Sequence, residues 1–236
     1  GQAGAAMADF VLANPARCFP IPEGVGDAMA ASLYGNYLTA IHGLRDRGNL
    51  RAGETLLVLG ASGGVGTAAV AVAKAIGANV IAGASTAAKR EVALRCGADA
   101  VIDYTEENWR AALKPLCPDG LDVVYDPVGG EIAEPAFRSL AEGGRFLVVG
   151  FAAGTIPKIA LNLPLLKTAA IVGVNWGGLS EAHPEENVRL AVTLNEWLAS
   201  GRLKPAPVTE RPAAEFVAAM EDQLAGRISG KLVLVR

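Results

Sequence analysis

Between Leu56 and Ile76 the chain runs from four apolar residues, Leu56 to Leu59, through Gly60-Ala61-Ser62-Gly63-Gly64-Val65-Gly66 into an alanine-rich stretch with helical patterning. A glycine turn joining a buried strand to a helix opens a parallel β-α-β unit. It also leaves the free N–H groups of a helix N-terminus facing whatever lies at the strand end. Gly63 lets a ligand's phosphates approach the backbone, Gly66 lets helix and strand pack closely, and Ala61 stands where a G-x-G-x-x-G pattern has its first glycine. The glycine loop from Gly60 to Gly66 is therefore a candidate site for a dinucleotide pyrophosphate. The bland reading is a tight turn with no ligand.

The same alternation continues downstream. Strands are predicted at Leu56 to Leu59, Val80 to Ala82, Ala100 to Asp103, Leu121 to Asp126, Arg145 to Val149 and Ala170 to Val174. Helices are predicted at Val65 to Ile76, in a stretch ending near Cys96-Gly97, and near Glu106 to Leu116 and Glu131 to Leu140. Residues 53 to 174 thus read as an α/β fold, a Rossmann-type doubly wound sheet of six parallel strands. The flanks differ: Ala8 to Leu12 looks like an isolated strand, and Pro15 to Pro22 is too proline-rich for regular interior structure. Residues 27 to 47 read as helical. Arg189 to Ala199 reads as a helix closed by Ser200-Gly201, followed by Pro205, Pro207 and Pro212, a last helix and a strand at Lys231 to Val235.

Composition narrows the function. With 51% hydrophobic residues in a chain of 236, a full core can form, yet no apolar run approaches the roughly 20 residues a membrane helix needs. The formal net charge of −3 and the scattered lysines and arginines argue against nucleic acid and membrane surfaces as partners. Cys18, Cys96 and Cys117 form no C-x-x-C pair, and His42 and His183 are the two histidines, so no metal site or Ser-His-Asp triad is expected. The first residues do not resemble a secretory signal, which makes the cytoplasm the expected location.

Selectivity is read at the end of the second strand. NAD-binding loops place an acid about 20 residues after the glycines to hold the ribose 2′-hydroxyl. Here the strand ends Ala82-Gly83-Ala84-Ser85-Thr86, with Lys89 and Arg90 following and no acid before Glu91. A 2′-phosphate would meet a hydroxyl and cations, which favours NADP(H). The alternative is that Ser85 caps the next helix and Lys89 is a solvated side chain.

Several motifs in one order carry a resemblance: Leu38-Thr39-Ala40, Gly53-Glu54-Thr55, Ala61 to Gly66, Gly97-Ala98-Asp99, Ile102-Asp103-Tyr104, Asp126 to Gly130 and Gly226 to Lys231. Together they resemble the quinone oxidoreductase (zeta-crystallin-like) branch of the medium-chain dehydrogenase/reductase superfamily. The resemblance implies a Rossmann lobe between the two parts of a GroES-like β lobe. Residues 1–25 would end the N-terminal catalytic lobe, 26–180 would bind NADP(H), and 181–236 would be a linking helix and the return to the catalytic lobe. Most of that catalytic lobe is expected to be missing from the chain.

By the same resemblance, Thr39 lies beside the nicotinamide, Ser62 to Val65 hold the pyrophosphate, and Ser85, Lys89 and Tyr104 hold the adenosine 2′-phosphate. Gly150 and Phe151 line the nicotinamide pocket. The cysteine that ligates zinc in related alcohol dehydrogenases is replaced by Gly35, which implies the zinc-independent branch. The implied activity is hydride transfer from NADPH to a quinone or similar conjugated carbonyl, with no catalytic residue assigned. Reduction of the carbon-carbon double bond of an enone, or NADPH binding without turnover, are the alternatives. A homodimer joined through the edge strand at 170–174 is also implied.

Overall fold

The strand-loop-helix rhythm becomes one six-stranded parallel sheet in the computed structural model, which describes residues 8, 10–15 and 18–236. The strands are β1 (Thr55–Val58), β2 (Asn79–Gly83), β3 (Ala100–Ile102), β4 (Leu121–Asp126), β5 (Leu140–Val148) and β6 (Ala170–Gly173). Their order is β3-β2-β1-β4-β5-β6, with every neighbouring pair parallel. The chain builds outward from β1 to β3 and then returns to start again at β4. The connections after β1 and β4 therefore lead to helices on opposite faces of the sheet, which sets a crevice at the strands' carboxyl ends.

Helices cover both faces because the central strands are buried on both sides. On one face α1 (Asp27–Ile41), α2 (Gly64–Ile76), α3 (Ala87–Arg95) and α7 (Pro184–Ala199) surround a core that includes Leu38, Val70, Leu56, Val123 and Trp197. On the other, α4 (Ala133–Arg138) and a short turn of 3-10 helix at Trp109–Leu113 pack on Leu57, Leu121 and Phe146. α5 (Asn162–Lys167) leads into β6, and α6 (Trp176–Ala182) precedes α7. The terminal elements β7 (Val208–Pro212), α8 (Phe216–Leu224) and β8 (Lys231–Val235) add a separate two-stranded parallel sheet lying against α1.

Several expectations need correction. The described residues between 8 and 12 form no strand, and Phe10 and Leu12 are exposed; without a neighbouring strand their backbone has nothing to pair with. The helix expected near Glu106 to Leu116 shrinks to the 3-10 turn, because Trp109 and Leu113 bury against the sheet and Pro115 follows at once. The helix expected to reach Leu140 stops at Arg138, since Leu140 is taken up pairing with Leu121. β5 thus starts five residues before Arg145 and reaches its main register with β4 through a bulge holding Gly143, whose φ is +74°. α7 begins at Pro184, a residue suited to a first helical turn, rather than at Arg189.

The helical stretch 27–47 is continuous but changes character. From His42 to Arg47 it widens to a π-helix, closed by the Gly48 N–H on the Gly43 carbonyl five residues back. A Cβ on Gly43 would sit 3.0 Å from the Tyr125 ring and 3.2 Å from Val174, so the wide turn rests directly on the sheet.

Candidate functional site

The site begins at Gly60, where the backbone takes φ +59° and turns away from β1. A Cβ there would meet Val128 Cγ2 at 2.7 Å, so the loops after β1 and β4 touch at the mouth of the crevice. Val128 is carried there by Asp126, only 2% exposed, whose carboxylate accepts the N–H groups of Val128 and Gly129, each at 2.8 Å. Burial pushes the Asp126 pKa up, and those two donors oppose the rise.

Beyond Gly60, a Cβ on Gly66 would lie 2.3 Å from the Gly60 carbonyl oxygen, which explains why this position is glycine. α2 starts at Gly64, and the N–H groups of Gly64, Val65 and Gly66 have no acceptor among the described residues. Three unpaired donors at the start of a 13-residue helix, at the carboxyl end of a parallel sheet, form an anion site suited to a diphosphate.

Two residues that the sequence reading did not place at this loop, Asn36 and Lys231, complete its rim. A Cβ on Gly64 would sit 2.9 Å from Asn36 Nδ2 and 3.4 Å from Lys231 Cδ. Lys231 arrives because the C-terminal segment is pinned to the loop: the Gly230 N–H donates to the Ser62 carbonyl at 2.6 Å, and Gly63 and Gly230 form a parallel bridge. Farther up the segment, the Ala206 N–H donates to the buried Tyr37 hydroxyl at 2.8 Å. These partners are separated by too much chain for any spacing rule to find. Gly63, expected to let phosphates approach the backbone, is open, its nearest neighbour being the Gly60 carbonyl oxygen at 3.5 Å. A cavity of about 670 Å³ lies beside this rim, lined by Asn36, Gly64, Val65, Gly230 and Lys231 among others.

The residues expected to face the adenosine lie at the carboxyl ends of β2 and β3. Thr86, not Ser85, caps α3, accepting the Lys89 N–H at 3.3 Å. That leaves the Ser85 hydroxyl beside the Tyr104 phenol, whose ring lies against Gly83, with Cδ1 3.1 Å from where a Cβ would be. Burial raises the Tyr104 pKa, Ser85 opposes this, and the carboxylates of Asp103 and Asp126 add to the rise. The Lys89 ammonium lies by Gly226 and has no carboxylate partner among the described residues. Ser85 and Tyr104 therefore meet, whereas the Lys89 ammonium sits by the C-terminal segment at Gly226.

The remaining three sequence candidates are not joined to one another by any hydrogen bond. Thr39 donates its hydroxyl to the Gly35 carbonyl of its own helix at 2.7 Å. Gly150 packs on Pro127, and Phe151, exposed at the rim, has Cδ1 3.0 Å from where a Gly129 Cβ would be.

The residues suit a dinucleotide. Among the described residues no group of three or more His, Cys, Asp or Glu could hold a metal ion. His42 faces Asp46, His183 faces Glu185, and Cys117 donates to the Leu113 carbonyl. Among the described residues no helix is long and apolar enough to cross a membrane.

Comparison with known proteins agrees with this architecture. The model of a family described as zinc-binding dehydrogenase matches residues 64–193. A quinone oxidoreductase-like protein 2 homolog of Nematostella vectensis is 36% identical over 206 residues, covering 86% of this chain and 56% of that protein. A mycobacterial protein solved in complex with NADPH superposes with a TM-score of 0.90 at 28% identity, covering 99% of this chain and 72% of its own. A quinone oxidoreductase of Pseudomonas syringae gives 0.81 at 28% identity, with 92% and 67% covered. The chain spans about half the length of the curated relatives it matches.

Proposed function

The chain belongs to the zinc-binding dehydrogenase family, in the quinone oxidoreductase-like branch of the medium-chain dehydrogenases/reductases, and on that premise we propose that it is an NADPH-dependent, zinc-independent quinone reductase lobe. The observation that supports the reading is the set of unpaired N–H groups at the start of α2 together with the Ser85–Tyr104 contact beyond β2 and β3, where no acid follows β2 before Glu91. The NADPH complex of a similar mycobacterial protein supports the same cofactor.

In this mechanism the N–H groups of Gly64, Val65 and Gly66, with Asn36 and Lys231, bind and orient the diphosphate. Ser85, Lys89 and Tyr104 hold the 2′-phosphate. Thr39, Gly150 and Phe151 flank the nicotinamide end and exclude water from it. When bound, NADPH supplies a hydride to a quinone or similar conjugated carbonyl. Solvent can protonate the reduced oxygen, so no protein acid is required and none is assigned.

The division at 25/26 and 180/181 into a cofactor lobe and two parts of a second lobe belongs to the same proposal. So does a homodimer through β6, an edge strand on which Ile171 is 42% exposed, near the exposed Leu161, Leu165 and Leu166. A dimer mass in light scattering is expected, and a monomer would remove that part.

The test is a parallel titration with NADPH and NADH, followed by NADPH oxidation with a naphthoquinone and with an enone as acceptors. NADPH should bind at least about tenfold tighter, a difference of roughly 1.4 kcal/mol. Equal binding of the two nucleotides overturns the cofactor assignment. A preference for the enone moves the activity to double-bond reduction, and tight NADPH binding with no oxidation by any acceptor removes the enzymatic reading.

A further inference from the structure

We propose that Arg90 sets the preference for NADPH over NADH by neutralising Asp103, which would otherwise stand as an uncompensated carboxylate beside the 2′-phosphate; the inference rests on the NADPH reading above. Asp103 follows β3 and immediately precedes Tyr104. One of its oxygens is used within its own turn, accepting the Thr105 N–H at 3.0 Å and the Thr105 hydroxyl at 2.6 Å. The other receives Arg90 Nη1 at 2.5 Å. Arg90 is held from a second side, since Nη1 also donates to the Ala84 carbonyl at 3.3 Å, just past β2. The pair thus bridges the carboxyl ends of β2 and β3, where Ser85 and Tyr104 meet. Both side chains are 22% exposed, so solvent screens them only in part.

Charge at this spot is consequential. The Tyr104 phenol lies within the fields of Asp103 and Asp126. Asp126 is answered by the N–H groups of Val128 and Gly129, and Asp103 is answered by Arg90. A 2′-phosphate carrying close to two negative charges would be repelled by a bare Asp103, whereas a 2′-hydroxyl would not be and could donate to it. Arg90 is therefore a positioning and specificity residue acting through Asp103. Lys89, with no carboxylate partner among the described residues, is the cation left to meet the phosphate itself.

The test titrates the 236-residue chain and the variants Arg90→Gln, Asp103→Asn and the double variant with NADPH and NADH, reading heat at low and high salt. Asp103→Asn keeps an oxygen acceptor for the Thr105 turn, so it should fold and bind NADPH at least as tightly as the parent. Arg90→Gln should weaken NADPH about tenfold and change NADH by less than about twofold, with the deficit shrinking as salt rises. The double variant should recover NADPH binding to within about threefold of the parent, a coupling that reveals the shared pathway. A double variant as weak as Arg90→Gln would mean that Arg90 grips the phosphate directly, and equal weakening of both nucleotides would mean a structural role; either overturns the inference. A parent chain that binds the two nucleotides equally, or neither, overturns the NADPH reading instead. A parent that prefers NADPH beside an unchanged Arg90→Gln sinks this inference alone.

Discussion

Gly230 donates its N–H to the carbonyl of Ser62 at 2.6 Å, tying the C-terminal segment to the loop that opens the nucleotide-binding helix. The contact places Lys231 against Gly64, beside the start of α2.

Lys231 and Lys89 should therefore affect the two nucleotides differently. A diphosphate is common to NADPH and NADH, so Lys231→Met should weaken both by a similar factor, about three- to tenfold for loss of one charge-assisted contact. Lys89→Met should weaken NADPH by a comparable factor and leave NADH nearly unchanged. Calorimetric titrations of both variants check this, and a Lys231 effect confined to NADPH would move Lys231 out of the diphosphate site.

The loop glycines should separate stability from binding. Gly66→Ala forces a Cβ to within 2.3 Å of a backbone oxygen, and should cost about 2–4 kcal/mol of folding stability in urea denaturation. Gly64→Ala meets the ends of the Asn36 and Lys231 side chains, which can move, so it should fold and lose nucleotide affinity. Gly63→Ala should be the mildest of the three, since its nearest neighbour is 3.5 Å away.

Acid sensitivity should trace in part to Glu54. Arg145 reaches Glu54 with two nitrogens, at 2.7 and 3.0 Å, and also binds the carbonyls of Gly48 and Asn49. Burial pushes the Glu54 pKa up, but Arg145 and the Arg51 N–H outweigh it, and the net shift is downward. A carboxyl whose folded pKa lies below its unfolded value of about 4.3 contributes stability that is complete above that value and lost as pH falls through the folded pKa. Glu54→Gln should lower the melting temperature at pH 7 and flatten its decline below about pH 4.5. An unchanged acid slope would exclude Glu54 as a contributor.

Tyr125 offers the opposite case. Its hydroxyl is buried with no hydrogen-bond partner among the described residues, and burial pushes its pKa far up. Removing an unsatisfied buried hydroxyl relieves a desolvation cost, so Tyr125→Phe should leave stability unchanged or raise it by up to about 1 kcal/mol in chemical denaturation. A clear loss would reveal a partner for that hydroxyl.

The sequence alone determined the six-strand rhythm, the helix that follows the glycine loop and the absence of an acid after β2, because apolar periodicity and glycine turns are local properties written over a few residues. The 3-10 turn at Trp109 to Leu113, the early start of β5 at Leu140 and the capping of α3 by Thr86 were decided by tertiary structure, where packing and strand pairing override local pattern. The same holds for the candidate site. The loop from Ser62 to Val65 was legible because strand, loop and helix are contiguous, whereas Asn36 and Lys231 reach its rim through the packing of α1 and the Gly230–Ser62 contact, and Arg90 meets Asp103 because β2 and β3 are paired.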